Sequence, residues 1–278
     1  MPIRNSDSSD GRLQYESSDT DYFQKVSLPS TGSLTISDGE IHVWRVALEA
    51  TNSVEAHLKQ LLSADEQARL AGFRSSIDRQ RFALRRGTLR MLLSAYTGLP
   101  GTELCFTQGK YGKPMLKQLP DRAVPCFNTS ASDNLALIAV SGQLPLGIDI
   151  EFMRSIDEIH DIASRFFSGR ERDSLAELPR DLQLDGFYRI WSSKEAIIKA
   201  DGRGLSMPLD KFVVSSDPRH PPQLLQTTND MDSPTELILY GLDPGKKFSG
   251  ALATSRPSMV IRTWALNLNQ MTRAAAIE

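Results

Sequence analysis

The chain carries one order of local signals twice, and this limits its fold more than any other feature. Ile41-His42-Val43-Trp44-Arg45-Val46-Ala47-Leu48 alternates like a strand, and Ser63-Ala64-Asp65-Glu66 reads as a helix N-cap with an acidic first turn. A longer helical stretch then runs from Asp78 through Arg90 to Ala95, until Gly98-Leu99-Pro100-Gly101 stops it. The order returns with the strand Leu146-Gly147-Ile148-Asp149-Ile150-Glu151, a helix opened by Phe167-Ser168-Gly169-Arg170-Glu171, and a longer helix from Asp185 to Lys199 closed by Asp201-Gly202-Arg203-Gly204. Trp44 with Asp149 and Ser63 with Ser168 give an offset of 105 residues, which becomes 107 for Asp78 with Asp185. Read from the residues alone, this is either an internal duplication or a chance match of helix lengths. A duplicated unit makes two similar halves with a cleft between them, a favoured place for a small molecule.

Around these helices, strands are expected at 103–107, 115–116 and 135–141 in the first half, and at 212–215, 236–242, 248–254 and 260–266 in the second. The expected fold class is α+β, two similar α/β halves in pseudo-two-fold arrangement. The pattern divides the chain into a flexible polar N-terminal tail (1–35), an N-terminal half (36–143), a C-terminal half (144–267) and a short C-terminal tail (268–278). The first tail is rich in Ser and Asp and offers too little apolar surface to offset the entropy of ordering.

Composition removes whole classes of function. The apolar run Leu135 to Val140 is six residues long, far short of the roughly 20 a membrane helix requires. The N-terminal stretch lacks the apolar core of a secretory signal, which points to a cytoplasmic protein. Cys105 and Cys126 show no CxxC spacing, so neither a disulfide scaffold nor a cysteine-based zinc site is expected. His42, His57, His160 and His220 are scattered without ligand spacing, and no Ser-His-Asp arrangement or Walker-type loop is present. With 32 basic and 34 acidic side chains, bulk attraction to nucleic acid or membrane is absent, so any charge-driven recognition is local.

Local charge is where the two halves differ. The second half carries Asp149 and Glu151 where the first carries Trp44 and Val46. Residues i and i+2 of a strand share a face, so the two carboxylates project together while Ile148 and Ile150 face the core. Adjacent carboxylates repel unless a cation or donor joins them, and hard oxygen ligands of this kind suit Mg²⁺. Taken alone, the strand reads either as a solvated acidic end or as a metal site. Glu195 and Lys199 stand at i, i+4, the spacing of an ordinary surface ion pair. With Lys194, the bulky apolar residues of the same helix and its Gly-rich end, they also suit a phosphate-binding cleft. In the first half, Arg69, Arg74, Arg79, Arg81, Arg85, Arg86 and Arg90 face the single acid Asp78, a local positive field in a near-neutral chain.

The strand Gly147-Ile148-Asp149-Ile150-Glu151, followed 45 residues after Asp149 by Lys194 in Trp191-Ser192-Ser193-Lys194-Glu195-Ala196-Ile197-Ile198-Lys199, resembles the two-part signature of the 4′-phosphopantetheinyl transferases. The likeness continues through Phe106-Thr107-Gln108, Tyr111-Gly112-Lys113-Pro114, Phe127-Asn128-Thr129-Ser130, Arg165-Phe166-Phe167-Ser168 and Gly202-Arg203-Gly204-Leu205-Ser206, in family order over roughly residues 40–265. The length is similar to that of the monomeric, two-halved Sfp-type members. The resemblance implies transfer of the phosphopantetheine arm of coenzyme A to a serine of an apo acyl or peptidyl carrier protein, releasing 3′,5′-ADP. It implies Asp149, Glu151 and Glu195 as ligands of Mg²⁺, or Mn²⁺ in its place. Lys199 matches a phosphate ligand, and Glu195 matches a candidate to take the serine proton, directly or through water. Asp149, Glu195 and Lys199 are thus the implied catalytic set, with Glu171 as a secondary proton acceptor near the carrier serine. Coenzyme A would be held by Arg69, Arg81, Lys113, Ser130, Lys194 and Lys199. The family pattern Asn-x-Ser-His-Ser reads Asn128-Thr129-Ser130-Ala131-Ser132 here, so the histidine that contacts the 3′-phosphate is missing. A carrier or coenzyme A binding protein without turnover is the alternative that Ala131 suggests. A Mg²⁺-dependent nucleotidyl enzyme on another fold would share the acids but not the ordered segments. The resemblance leaves no role for nucleic acid or a membrane.

Overall fold

A computed structural model describes residues 22–26, 29–118, 123–155, 159–227 and 237–273. Among these residues the elements follow in the order β1 (Gln24–Val26), β2 (Glu40–Ala47), α1 (Asn52–Gln60), α2 (Ala64–Ala71), α3 (Ser76–Thr97), β3 (Phe106–Gln108), β4 (Pro114–Leu116), β5 (Cys126–Ser132), β6 (Leu135–Ser141) and β7 (Leu146–Phe152). They continue with α4 (Ile159–Phe166), α5 (Gly169–Glu177), α6 (Gln183–Asp201), β8 (Phe212–Val214), β9 (Leu224–Thr227), β10 (Ile238–Leu242), β11 (Phe248–Thr254) and β12 (Val260–Leu266). The fold is α+β, and no helix among the described residues is long and apolar enough to cross a membrane.

The repeat read in the sequence extends to the ends of the helices. Ser63 and Ser168 each accept a hydrogen bond from the backbone N–H three residues on, while Glu66 and Glu171 reach back to the backbone N–H of the cap, so α2 and α5 open with the same capping box. The long helices α3 and α6 both end on a left-handed glycine, Gly98 (φ 70°) and Gly202 (φ 86°), a conformation that costs a residue with a Cβ.

Behind each capping box lies a buried cation from the long helix. Arg90 Nε donates to Glu66 at 2.6 Å, and Lys194 Nζ donates to Glu171 at 2.8 Å. Arg90 also donates to the carbonyls of Gly101 and Leu104, and Lys194 to those of Leu209 and Phe212. Each cation lies over an aromatic ring, Arg90 over Phe106 at 5.0 Å and Lys194 over Phe212 at 4.2 Å. Chance agreement of helix lengths would not reproduce this interior.

The sheets show where the halves exchange parts. One sheet has the order β1-β12-β2-β6-β5 and another the order β10-β11-β7. Although β12 falls in the half expected over 144–267, it pairs parallel to β2 of the first half, where Trp264 stacks on Trp44 at 4.7 Å. β1 likewise corrects part of the tail expected over 1–35. Phe23 is buried with Ile41, Val43 and Leu137, and that apolar anchor draws Gln24–Val26 against β12; residues 1–21 lie outside the described chain. The same cluster takes in Ile148 and Ile150 of β7 together with Leu252 of β11, so burial of apolar surface joins the two sheets into one core.

Candidate active site at the seam between the halves

The acids of β7 lie where the two sheets meet. β5 runs alongside β7 but belongs to the other sheet, and side chains take the place of a backbone ladder between them. Asn128 Oδ1 accepts the Ile148 N–H at 2.9 Å, and Ser132 Oγ accepts the Phe152 N–H at 3.0 Å. Ser130 Oγ donates to Asp149 Oδ1 at 2.8 Å, and Ser132 Oγ donates to Glu151 Oε2 at 2.9 Å.

α6 supplies the remaining charges. Lys199 Nζ donates to Asp149 Oδ1 at 2.6 Å and to Ser130 Oγ at 3.0 Å. Asp149 is 2 % exposed, and its second oxygen, Oδ2, is buried with no hydrogen-bond partner. Burial pushes the Asp149 carboxyl up, against the opposing pull of Lys199 and Ser130. Burial and then the charge of Asp149 push Glu151 up as well, with Ser132 opposing. Glu195 is raised by burial and by Asp149, with Lys199 opposing. A buried acceptor without a donor beside mutually repelling carboxyl groups fits a hard cation. Among the described residues no group of three His, Cys, Asp or Glu side chains is placed to enclose an ion. A cation here would therefore need oxygen ligands from substrate or water.

Glu151 and Ser132 line a cleft of about 460 Å³ whose other walls include Arg81 of α3, Arg154, Phe187 and Trp191. Arg81 Nη2 donates to Asp133 at 2.8 Å at its edge. Farther along α3, Glu66 pairs with both Arg86 and Arg90. Arg85 is half-buried beside the guanidinium groups of Arg69 and Arg86; burial and those like charges lower its pKa, and no acid among the described residues is set against it. Uncompensated buried charge of this kind is a ready anion site. Arg85 is one of the seven arginines between Arg69 and Arg90; its i, i+4 spacing from Arg81 is the signal that could have singled it out.

A family model described as the 4′-phosphopantetheinyl transferase superfamily matches residues 145–251, which contain Asp149, Glu151, Glu195 and Lys199. The 4′-phosphopantetheinyl transferase HetI of Nostoc sp. is 36% identical over 201 residues, covering 72% of this chain and 84% of the relative. The chain belongs to the 4′-phosphopantetheinyl transferase superfamily. The transferase Sfp of Bacillus subtilis is 35% identical over 188 residues, covering 68% of this chain and 80% of that protein. A holo-(acyl-carrier-protein) synthase from Bacillus anthracis, solved with CoA (3′,5′-ADP), overlaps 40% of this chain and 94% of its own at 24% identity and a TM-score of 0.33, too slight a likeness to inform the fold.

The transferase brings Asp149, Glu195 and Lys199 together with Glu151 at the seam, while other residues expected around coenzyme A have different partners. Lys194 is 1 % exposed and held by Glu171 and two carbonyls, with no donor directed at the cleft. Glu171, expected near the carrier serine, is fully buried and accepts from the Ser168 and Val214 N–H groups as well as from Lys194, so it is a structural anion. Lys113 Nζ donates to the carbonyls of Leu146 at 2.8 Å and Lys199 at 2.6 Å, stapling the β3–β4 hairpin to the end of α6. Ser130 faces Asp149 rather than a nucleotide site. Arg69 is exposed, its guanidinium 5.3 Å from the centre of the Phe82 ring. Ala131 alternates to the other face of β5, where it packs against the core of the first half.

Proposed function

We propose that this transferase moves the 4′-phosphopantetheine group of coenzyme A to a serine hydroxyl of an apo acyl or peptidyl carrier protein and releases 3′,5′-ADP. The observation that carries the reading is the Asp149 carboxylate, one oxygen held by Lys199 and Ser130 and the other left without a partner inside a cluster of acids. Such a site favours a cation and, through it, the pyrophosphate of coenzyme A. Mg²⁺, or Mn²⁺ in its place, would draw on the carboxylates of Asp149, Glu151 and Glu195, with substrate and water oxygens completing its shell, and would supply neutralising charge for the phosphate oxygens.

The chain's own residues account for the rest. The serine oxygen attacks the β-phosphorus, an O–P bond forms, and the bond from that phosphorus to the oxygen bridging it to 3′,5′-ADP breaks. Lys199 favours negative charge on the leaving phosphate. Glu195 takes the serine proton, directly or through one water. Arg81 and Arg85, with the exposed Arg69 beside Arg85, would offer positive charge to the 3′-phosphate. One chain supplies both the arginines and the acids, which supports a monomer; the carriers it would serve are those of fatty-acid, polyketide or nonribosomal peptide synthesis.

Mass spectrometry of an apo carrier incubated with coenzyme A and Mg²⁺ tests the reading. The carrier should gain one phosphopantetheine group with the wild type and none with a folded Asp149→Ala variant. No gain at high coenzyme A concentration would leave a binding protein without turnover, the alternative that Ala131 suggests.

A further inference from the structure

Two edge N–H groups of β7 on the side of β5 are taken by side chains rather than by backbone. Ile148 N–H is taken by Asn128 and Phe152 N–H by Ser132. A direct β5–β7 ladder would satisfy these groups too, but it would bring the strands to about 4.8 Å apart and fill the space in which the carboxylates lie. Asn128 and Ser132 therefore act as spacers at the two ends of the slot, and Ser130 stands between them on the same face of β5. Of the three, Ser132 alone contacts both the backbone and a carboxylate. Its oxygen accepts from Phe152 N–H, which leaves the hydroxyl proton directed at Glu151 Oε2. Glu151 lies half-buried beside Asp149; Lys199 acts on it only at longer range while bonding Asp149, so the Ser132 proton is the hydrogen bond that orients its carboxylate against the repulsion.

We propose that Ser132 is a positioning residue for the transfer: it locks Glu151 against the β5–β7 seam so that Glu151 and Asp149 meet an incoming divalent cation together. The inference rests on the phosphopantetheinyl transfer proposed above. It also gives a physical reason for a serine at the fifth position of Asn128-Thr129-Ser130-Ala131-Ser132, a position that the nucleotide itself does not explain. Groups that orient a metal-binding side chain without touching the ion typically change affinity or activity by roughly 10–100-fold.

Mn²⁺ titration of the free enzyme by electron paramagnetic resonance, with no coenzyme A or carrier present, reads this directly, and the Mg²⁺ dependence of transfer gives a second measure. Ser132→Ala should weaken Mn²⁺ binding by about 10-fold and raise the Mg²⁺ needed for half-maximal transfer by a similar factor, with kcat recovering at saturating metal. Ser132→Thr, which keeps the hydroxyl, should restore both. An Ala variant that folds and titrates Mn²⁺ like the wild type would overturn the proposal, as would loss of its cooperative melting transition, which would make Ser132 a residue of the fold alone. Wild-type enzyme that transfers without any divalent metal would remove the metal reading and this inference with it. Wild-type enzyme that needs metal but is matched by Ser132→Ala would remove the inference only.

Discussion

Lys194 and Glu171 meet 2.8 Å apart inside the second half, as Arg90 and Glu66 do at 2.6 Å inside the first. The strand pair shows the opposite behaviour: Asp149 and Trp44 occupy matching places, and one is a buried acid while the other stacks on Trp264. Duplication thus kept the lock that holds each long helix and let the outward-facing residues of each first strand diverge. Only one of the two faces carries acids, because on the other Trp44 is closed off by the Trp264 ring and by Tyr96 of α3.

Removing one partner of a buried ion pair leaves the other charged and unsatisfied, at a cost of about 3–5 kcal/mol. Lys194→Ala should lower the urea midpoint accordingly, while coenzyme A affinity per folded molecule stays at the wild-type value. Weakened coenzyme A binding with an unchanged urea midpoint would instead place Lys194 at the nucleotide.

Arg85 should be the arginine of α3 whose loss the nucleotide feels most sharply. Arg85→Gln removes a charge that no acid balances, so coenzyme A binding should weaken by about 10-fold and depend less steeply on salt. Calorimetric titration at two ionic strengths checks both effects; unchanged affinity at low salt would show that the phosphate lies elsewhere.

Ala131 stands on the side of β5 that faces the first half, so an imidazole there would not disturb Ser130 or Ser132. Ala131→His should tighten coenzyme A by about 10-fold, the value of one charge-assisted hydrogen bond. A titration indistinguishable from the wild type would mean that the arginines already supply all the positive charge the 3′-phosphate can use.

His42 sets a pH limit on stability. Its ring is buried, with Nδ1 2.7 Å from the Tyr96 hydroxyl and the imidazole against Trp264, and burial pulls its pKa down to about 4. The unfolded chain takes up a proton near pH 6.5 that the folded chain refuses until about pH 4. Stability from this group is therefore complete above pH 6.5 and is lost as pH falls towards 4, by up to about 3 kcal/mol. Melting midpoints of the wild type and of His42→Gln, measured from pH 7 to pH 4, should converge as the pH falls; parallel curves would show that His42 does not titrate across the transition.

Much of the frame was written locally. Capping signals at Ser63 and Ser168, stop glycines at Gly98 and Gly202 and the alternation of β2 and β7 are short-range chemistry, which is why the repeat could be read without coordinates. Cys126–Ser132 escaped because Asn, Thr and Ser give a strand no apolar alternation, and it becomes one through pairing with β6. β1 escaped because two aromatic residues, Tyr22 and Phe23, are too few to outweigh a polar surrounding in sequence terms, yet one buried ring is enough to hold a short strand.

By itself the sequence determined that two like units recur and that the second carries the acids, since residue type and strand period are properties of neighbours along the chain. Which cations serve the site was decided only in three dimensions. Lys113, Lys194 and Lys199 look equivalent as charges on a line, but burial sends Lys194 to Glu171 and Lys113 to carbonyl oxygens, leaving Lys199 beside Asp149. A charge taken out of water must find its partner wherever the packed chain brings one, and that choice is made by packing rather than by spacing.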